Sequence, residues 1–123
     1  MARVLVIDDN KELRELLKRW LEGAGYQVEE AFNGAEGLRL YRENPADLVV
    51  ADIIMPEKEG IETMVELRKD YPDVKFIAIS GGGFEKPDSY LEGAKLIGGA
   101  LRTFAKPFKR EDFLKAVKEI IGQ

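Results

Sequence analysis

Five polar residues each follow or close a short, mainly apolar run. Asp8 and Asp9 come after Val4 to Ile7, Asp52 after Leu48 to Ala51, Ser80 after Val74 to Ile79, and Lys106 after Ala100 to Ala105. Three carboxylates brought together repel one another unless a cation neutralises them. The chain has no His and no Cys, so the ligands on offer are oxygens, which favour a hard ion such as Mg²⁺ over Zn²⁺ or copper. Mg²⁺ usually keeps waters and shares its coordination with a phosphate, so such a site is completed by a phosphoryl group. An Asp carboxylate can attack phosphorus to form an acyl phosphate. Catalysis of that transfer is mostly alignment of the donor and neutralisation of the phosphoryl oxygens. On this reading Asp8 and Asp9 hold the metal and Asp52 is the nucleophile. Ser80 donates to a phosphoryl oxygen, and Lys106 approaches from the opposite side.

These residues converge only if the apolar runs are neighbouring strands of one sheet. The spacing supports that. After the first run, Leu13, Leu16, Leu17, Trp20 and Leu21 recur at helical intervals behind Asn10, a residue suited to cap a helix. Gly23 to Gly25 ends that helix, Tyr26 to Ala31 reads as a strand, and Asn33-Gly34 opens a second helix carrying Ala35, Leu38 and Tyr41. Pro45 precedes Leu48 to Ala51, a continuous apolar run typical of a strand buried on both faces. A third helix carries Ile61, Met64, Val65 and Leu67. Val74 to Ile79 is the fourth strand, Asp88 to Ile97 a Gly-interrupted fourth helix, and Ala100 to Ala105 the fifth strand. Phe113, Ala116, Val117, Ile120 and Ile121 line the last helix. Five strands alternating with five helices predict an α/β fold with an open parallel sheet covered on both faces. Ligands in such sheets bind beyond the carboxyl ends of the strands. Trp20 and the leucines around it are read as core.

Composition narrows the function classes. With 123 residues, 45% hydrophobic and 34% charged, the chain fits a single domain, 1–123, with no linker or second unit. No apolar run nears the roughly 20 residues of a membrane helix, and the N-terminus is too quickly acidic for a secretory signal, so a cytoplasmic location and no membrane partner are expected. A net charge of −4 argues against direct nucleic-acid binding.

Four segments together resemble response-regulator receiver domains of two-component signalling. They are VLVIDDN at Val4 to Asn10, DIIMPEKEG at Asp52 to Gly60, IAISGG at Ile77 to Gly82, and FAKPF at Phe104 to Phe108. The resemblance spans the whole chain. It implies a flavodoxin-like doubly wound sheet of strand order 2-1-3-4-5. It also implies phosphorylation of Asp52 by a sensor histidine kinase or phosphotransfer protein, and a downstream effector or output domain as the reader of the signal. By the same resemblance Asp9, Asp52 and the backbone carbonyl of Ile54 bind Mg²⁺, Asp8 acts mainly through water, and the Lys106–Pro107 peptide bond is cis. Taken singly, an Asp-Asp pair before a helix, a Lys-Pro turn or a Ser ending a strand has a plain structural explanation. The joint placement of these three and Asp52 at four strand ends favours the site.

Receiver domains usually carry Tyr or Phe three residues before the lysine; here that position is Thr103, and Phe104 points to the other face. A switch working through the Ser80 hydroxyl and the segment from Ser80 to Pro87 is therefore expected. Three rival readings remain. A flavodoxin-like FMN electron carrier is opposed by the acidic loop after the first strand, where a phosphate cradle needs Gly, Ser or Thr. A phosphatase with an Asp nucleophile needs a second acid two residues on, which Asp8-Asp9-Asn10 lacks. A degenerate receiver serving only as a docking module is opposed by the complete set of site residues.

Overall fold

The computed structural model describes residues 2–52, 59–80, 102–105 and 107–122. Strand and helix alternate from the N-terminus: β1 (Arg3–Ile7), α1 (Lys11–Gly23), β2 (Gln27–Ala31), α2 (Gly34–Glu43), β3 (Leu48–Asp52), α3 (Glu59–Asp70), β4 (Phe76–Ser80), β5 (Arg102–Ala105) and α4 (Arg110–Ile121). Four helices lie among the described residues. The helix expected near Asp88 to Ile97 falls outside them.

Local chemistry sets several boundaries. The Asn10 side chain accepts from the Leu13 N–H at 3.1 Å and the Asn33 side chain from the Glu36 N–H at 2.8 Å. Each satisfies a donor that the first helical turn leaves over. Gly25, with φ of 95°, lets the chain reverse between α1 and β2.

All five strands are parallel and form one sheet of order β2-β1-β3-β4-β5. Side chains alternate between its faces. Leu5, Ile7, Val49, Ala51, Phe76 and Ala78 pack with Tyr41 of α2 and with Met64 and Leu67 of α3. On the opposite face Val4, Val6, Leu48, Val50, Ile77 and Ile79 pack with Leu17 and Leu21 of α1 and Phe113, Ala116 and Val117 of α4. β3 is central and buried along its whole length. The sheet is therefore covered on both sides, as the unbroken apolar run from Leu48 predicted. Among the described residues no helix is long and apolar enough to cross a membrane.

The third helix departs from its expected apolar face: Val65 is 40% exposed, and Thr63 is buried at 4% beside Met64 and Leu67. Thr63 stands one turn before Leu67 on the same side of the helix, whereas Val65 lies about 160° around from Leu67, so the neighbouring elements rather than hydropathy alone select the buried face.

The amino end of the sheet is held by Arg3. Its N–H donates to Asp47 Oδ2 at 2.8 Å, while its guanidinium donates to the Asn44 carbonyl at 2.9 Å and to Glu29 Oε1 at 2.9 Å. The Arg3 carbonyl in turn accepts from the Asp47 N–H at 2.9 Å. One residue thus ties β1 to β2 and to the turn entering β3.

α2 lies unusually close to β1. A Cβ added at Gly37 would stand 2.4 Å from Ile7 Cδ1 and 2.8 Å from Ile7 Cγ1, and Ile7 is fully buried just before Asp8. Gly37→Ala gains roughly 1 kcal/mol of helix propensity, but overpacking a tight core costs about 1–3 kcal/mol. The expected net result is a loss, read as a lower urea midpoint; an unchanged or higher midpoint would show that Ile7 repacks freely.

Candidate functional site

Strand register brings the acidic residues together. β1 and β3 run in step with Ile7 opposite Ala51, so the next positions, Asp8 and Asp52, are neighbours at the carboxyl end of the sheet. Oxygens of Asp8, Asp9 and Asp52 lie within 4.8 Å of one another. Asp8 is 1% and Asp52 5% exposed, whereas Asp9 opens to solvent. Across β3, Asp52 pairs with Ile79, and Ser80 follows as the last residue of β4. Ser80 is in turn paired with Ala105, the last residue of β5.

The turn after β1 is fixed from several sides. The Asp8 N–H donates to the Ala31 carbonyl at 3.0 Å, and Asp8 Oδ1 accepts from the Asn10 N–H at 2.8 Å. The Asp8 carbonyl accepts from Arg14 Nη1 at 2.8 Å. Arg14 Nε donates to Glu30 Oε1 at 3.2 Å, and Lys18 Nζ lies 3.5 Å from Glu30 Oε2. Sequence reasoning missed Arg14 and Glu30. A signal for Arg14 was present: it sits one turn into α1, and helical side chains lean toward the N-terminus, here toward Asp8.

The predicted trio of carboxylates is therefore assembled. Ser80 ends its strand beside them; its side chain lies outside the described residues, as do Ile54, Lys106, the Lys106–Pro107 bond and the segment from Gly81 to Pro87. Phe104 stacks among Phe108 and Phe113 on the α1/α4 face, at ring distances of 5.4 and 5.9 Å. Strand alternation leaves Thr103 to the other face, opposite Ala78.

The donor set fits a hard divalent cation. It consists of carboxylate oxygens only, two of the three groups are nearly withdrawn from water, and no His or Cys competes.

A family model, the response regulator receiver domain, matches residues 4–118. The chain belongs to that family. This receiver domain is 36% identical over 119 residues to the chemotaxis protein CheY of Thermotoga maritima, covering 96% of each chain. It is 36% identical over 121 residues to the response regulator MprA of Mycobacterium sp. (strain KMS), covering 98% of this chain but only 50% of that relative's length. A crystal structure of a response regulator receiver domain protein from Clostridium thermocellum superposes with a TM-score of 0.86 at 31% identity, covering 99% of this chain and 95% of the other. The receiver domain is thus a module of two-component signalling, and its sheet order is the one the resemblance implied.

Proposed function

We propose that this receiver domain takes a phosphoryl group onto Asp52 from the phosphohistidine of a sensor histidine kinase or phosphotransfer protein, and that the modified state changes its contacts with an effector or output domain. The observation that carries the proposal is the cluster of Asp8, Asp9 and Asp52 within 4.8 Å at the carboxyl ends of β1 and β3. Asp8, Asp9, Asp52 and the Ile54 carbonyl would hold Mg²⁺, which when bound neutralises the carboxylates and the phosphoryl oxygens.

An Asp52 carboxylate oxygen attacks phosphorus, the new O–P bond forms as the P–N bond to the donor imidazole breaks, and the nitrogen keeps the electron pair. The donor lies outside this domain, because its 123 residues include no His. Burial of Asp52 keeps bulk water from the attacking oxygen and from the acyl phosphate it becomes. Ser80 and Lys106 are assigned the remaining phosphoryl oxygens, the hydroxyl and ammonium each supplying donors for charge that develops there. The phosphoryl group adds about two negative charges and new acceptors. Ser80 and Lys106 follow it, so the loops after β4 and β5 carry the signal outward.

Intact mass spectrometry after treatment with a small acyl phosphate tests the proposal. One phosphoryl adduct is expected with Mg²⁺ and none with a chelator; an equal yield without metal would remove the assigned role of the acidic cluster. Because the cation binds only the folded site, it also stabilises the unmodified protein. At ten times its dissociation constant the gain is about 1.4 kcal/mol, roughly 5 °C in Tm for a domain of this size. A melting temperature independent of Mg²⁺ up to about 10 mM, roughly ten times the millimolar weak end of hard-cation sites, would count against binding at the cluster.

A further inference from the structure

Arg14 stands in a place that local electrostatics disfavours. It lies in the first turns of α1, where the helix dipole presents its positive end and cations are unfavourable. Yet it is largely buried for an arginine, with its side chain 16% exposed. Its guanidinium is divided between two partners: Nη1 donates to the Asp8 carbonyl at 2.8 Å and Nε to Glu30 Oε1 at 3.2 Å. Glu30 stands on β2, whose next residue, Ala31, accepts from the Asp8 N–H at 3.0 Å. Both main-chain polar groups of Asp8 are therefore tied to β2, the N–H directly and the carbonyl through Arg14 and Glu30. The Asp8 carbonyl belongs to the peptide unit that joins Asp8 to Asp9, so its direction sets where Asp9 begins.

From this geometry we infer that Arg14 is a positioning residue for the cation site: its guanidinium, anchored by Glu30, fixes the Asp8–Asp9 peptide and so aims the acidic pair at Asp52. The inference rests on the proposed metal role of the cluster and adds residues that touch neither metal nor phosphoryl group. Groups that orient ligands in this way commonly change metal affinity by about 10–100-fold when removed.

Charge alone makes the opposite forecast. A guanidinium bonded to the main chain of a ligand residue repels an incoming cation, so deleting it should tighten Mg²⁺ binding on Coulombic grounds. Loss of positioning should weaken it. The sign of the change separates the two.

Mg²⁺ affinity is measured by following backbone amide shifts of Asp8 to Asn10 during MgCl₂ titration, with urea melts alongside to report folding. In Arg14→Gln the dissociation constant is expected to rise about tenfold, although a positive charge has been removed. In Glu30→Gln the amide oxygen still accepts but the charge-assisted half of the bond is lost, so a rise of about threefold is expected. Lys18→Gln removes a neighbouring cation that does not touch Asp8, and its constant is expected to stay within about twofold. Asp9→Asn calibrates the site. If Asp9→Asn weakens binding while Arg14→Gln leaves it unchanged or tighter, the positioning role is wrong. If Asp9→Asn itself binds like the wild type, the metal assignment of the cluster fails and the inference falls with it. Should Arg14→Gln prove unfolded in the melts, Glu30→Gln decides alone: wild-type affinity in it overturns the role.

Discussion

Asp52→Asn is expected to stop phosphoryl incorporation, lowering the initial rate by at least about a thousandfold, and at the same time to make the metal-free protein harder to unfold. The first effect follows from chemistry: a neutral amide oxygen is a poor nucleophile toward phosphorus, and the chain holds no His or Cys to take over. The second follows from the packing of like charges. Asp8, Asp9 and Asp52 approach within 4.8 Å, two of them almost fully buried. At that range a pair of like charges costs about 3 kcal/mol with an effective dielectric constant near 20. Hydrogen bonds offset part of this, as the Asn10 N–H does for Asp8, and so would the ammonium assigned to Lys106, so a net gain of about 1 kcal/mol is expected from neutralising one member. Early-time labelling by an acyl phosphate and the urea midpoint without Mg²⁺ measure the two effects on one preparation. Labelling at the wild-type rate would place the nucleophile elsewhere. A lower midpoint would mean that the surroundings of Asp52 stabilise its charge more than its neighbours oppose it.

The largest loss of stability is expected from Phe113→Ala, about 3–5 kcal/mol. Phe113 is fully buried, and its ring lies 6.1 Å from Trp20, 5.9 Å from Phe104 and 5.8 Å from Phe108. Its removal opens a cavity between α1, α4 and β5 and deletes three aromatic contacts of about 0.5–1.5 kcal/mol each at most. Domains of this size have only about 5–15 kcal/mol to lose, so the variant is expected to unfold at a much lower urea concentration. Trp20→Phe, which keeps an aromatic ring against Phe108 and Phe113, should cost far less. Equal midpoints for Phe113→Ala and the wild type would show that the cluster collapses around the gap. Since Phe104 and Phe108 flank Lys106 and Pro107 in sequence, the cluster also anchors a residue on each side of the lysine.

The parts of this molecule that were legible in its sequence are those governed by local rules. Asn10 and Asn33 precede helices and cap them, because a short side-chain oxygen can reach the free N–H groups of the first turn. The unbroken run at Leu48 became the central strand, because only a strand covered on both faces tolerates such continuity. The convergence of Asp8, Asp9 and Asp52 followed once two strand ends had been recognised as neighbours. Features that depend on tertiary partners were harder to read. Tyr26, Val74 and Lys75 were expected within strands and lie just before them, since strand limits are set by where a neighbour pairs rather than by side-chain type. Val65 was assigned to a buried face that Thr63 partly occupies. The link from Arg14 to Glu30 crosses from a helix to an edge strand sixteen positions on, and no periodicity within either element announces it.

Arg3 and the acidic cluster stand at opposite ends of β1, separated by five residues of extended chain, about 16 Å. Substitutions that far apart and without shared partners usually combine additively, within about 0.5 kcal/mol. The carbonyl and carboxylate bonds that Arg3 makes to Asn44, Asp47 and Glu29 can therefore strengthen or weaken the domain without retuning its chemistry. A lineage carrying this domain could thus accept a costly change among the carboxylates and repair it at the far edge, so that the history of the two ends need not run in step.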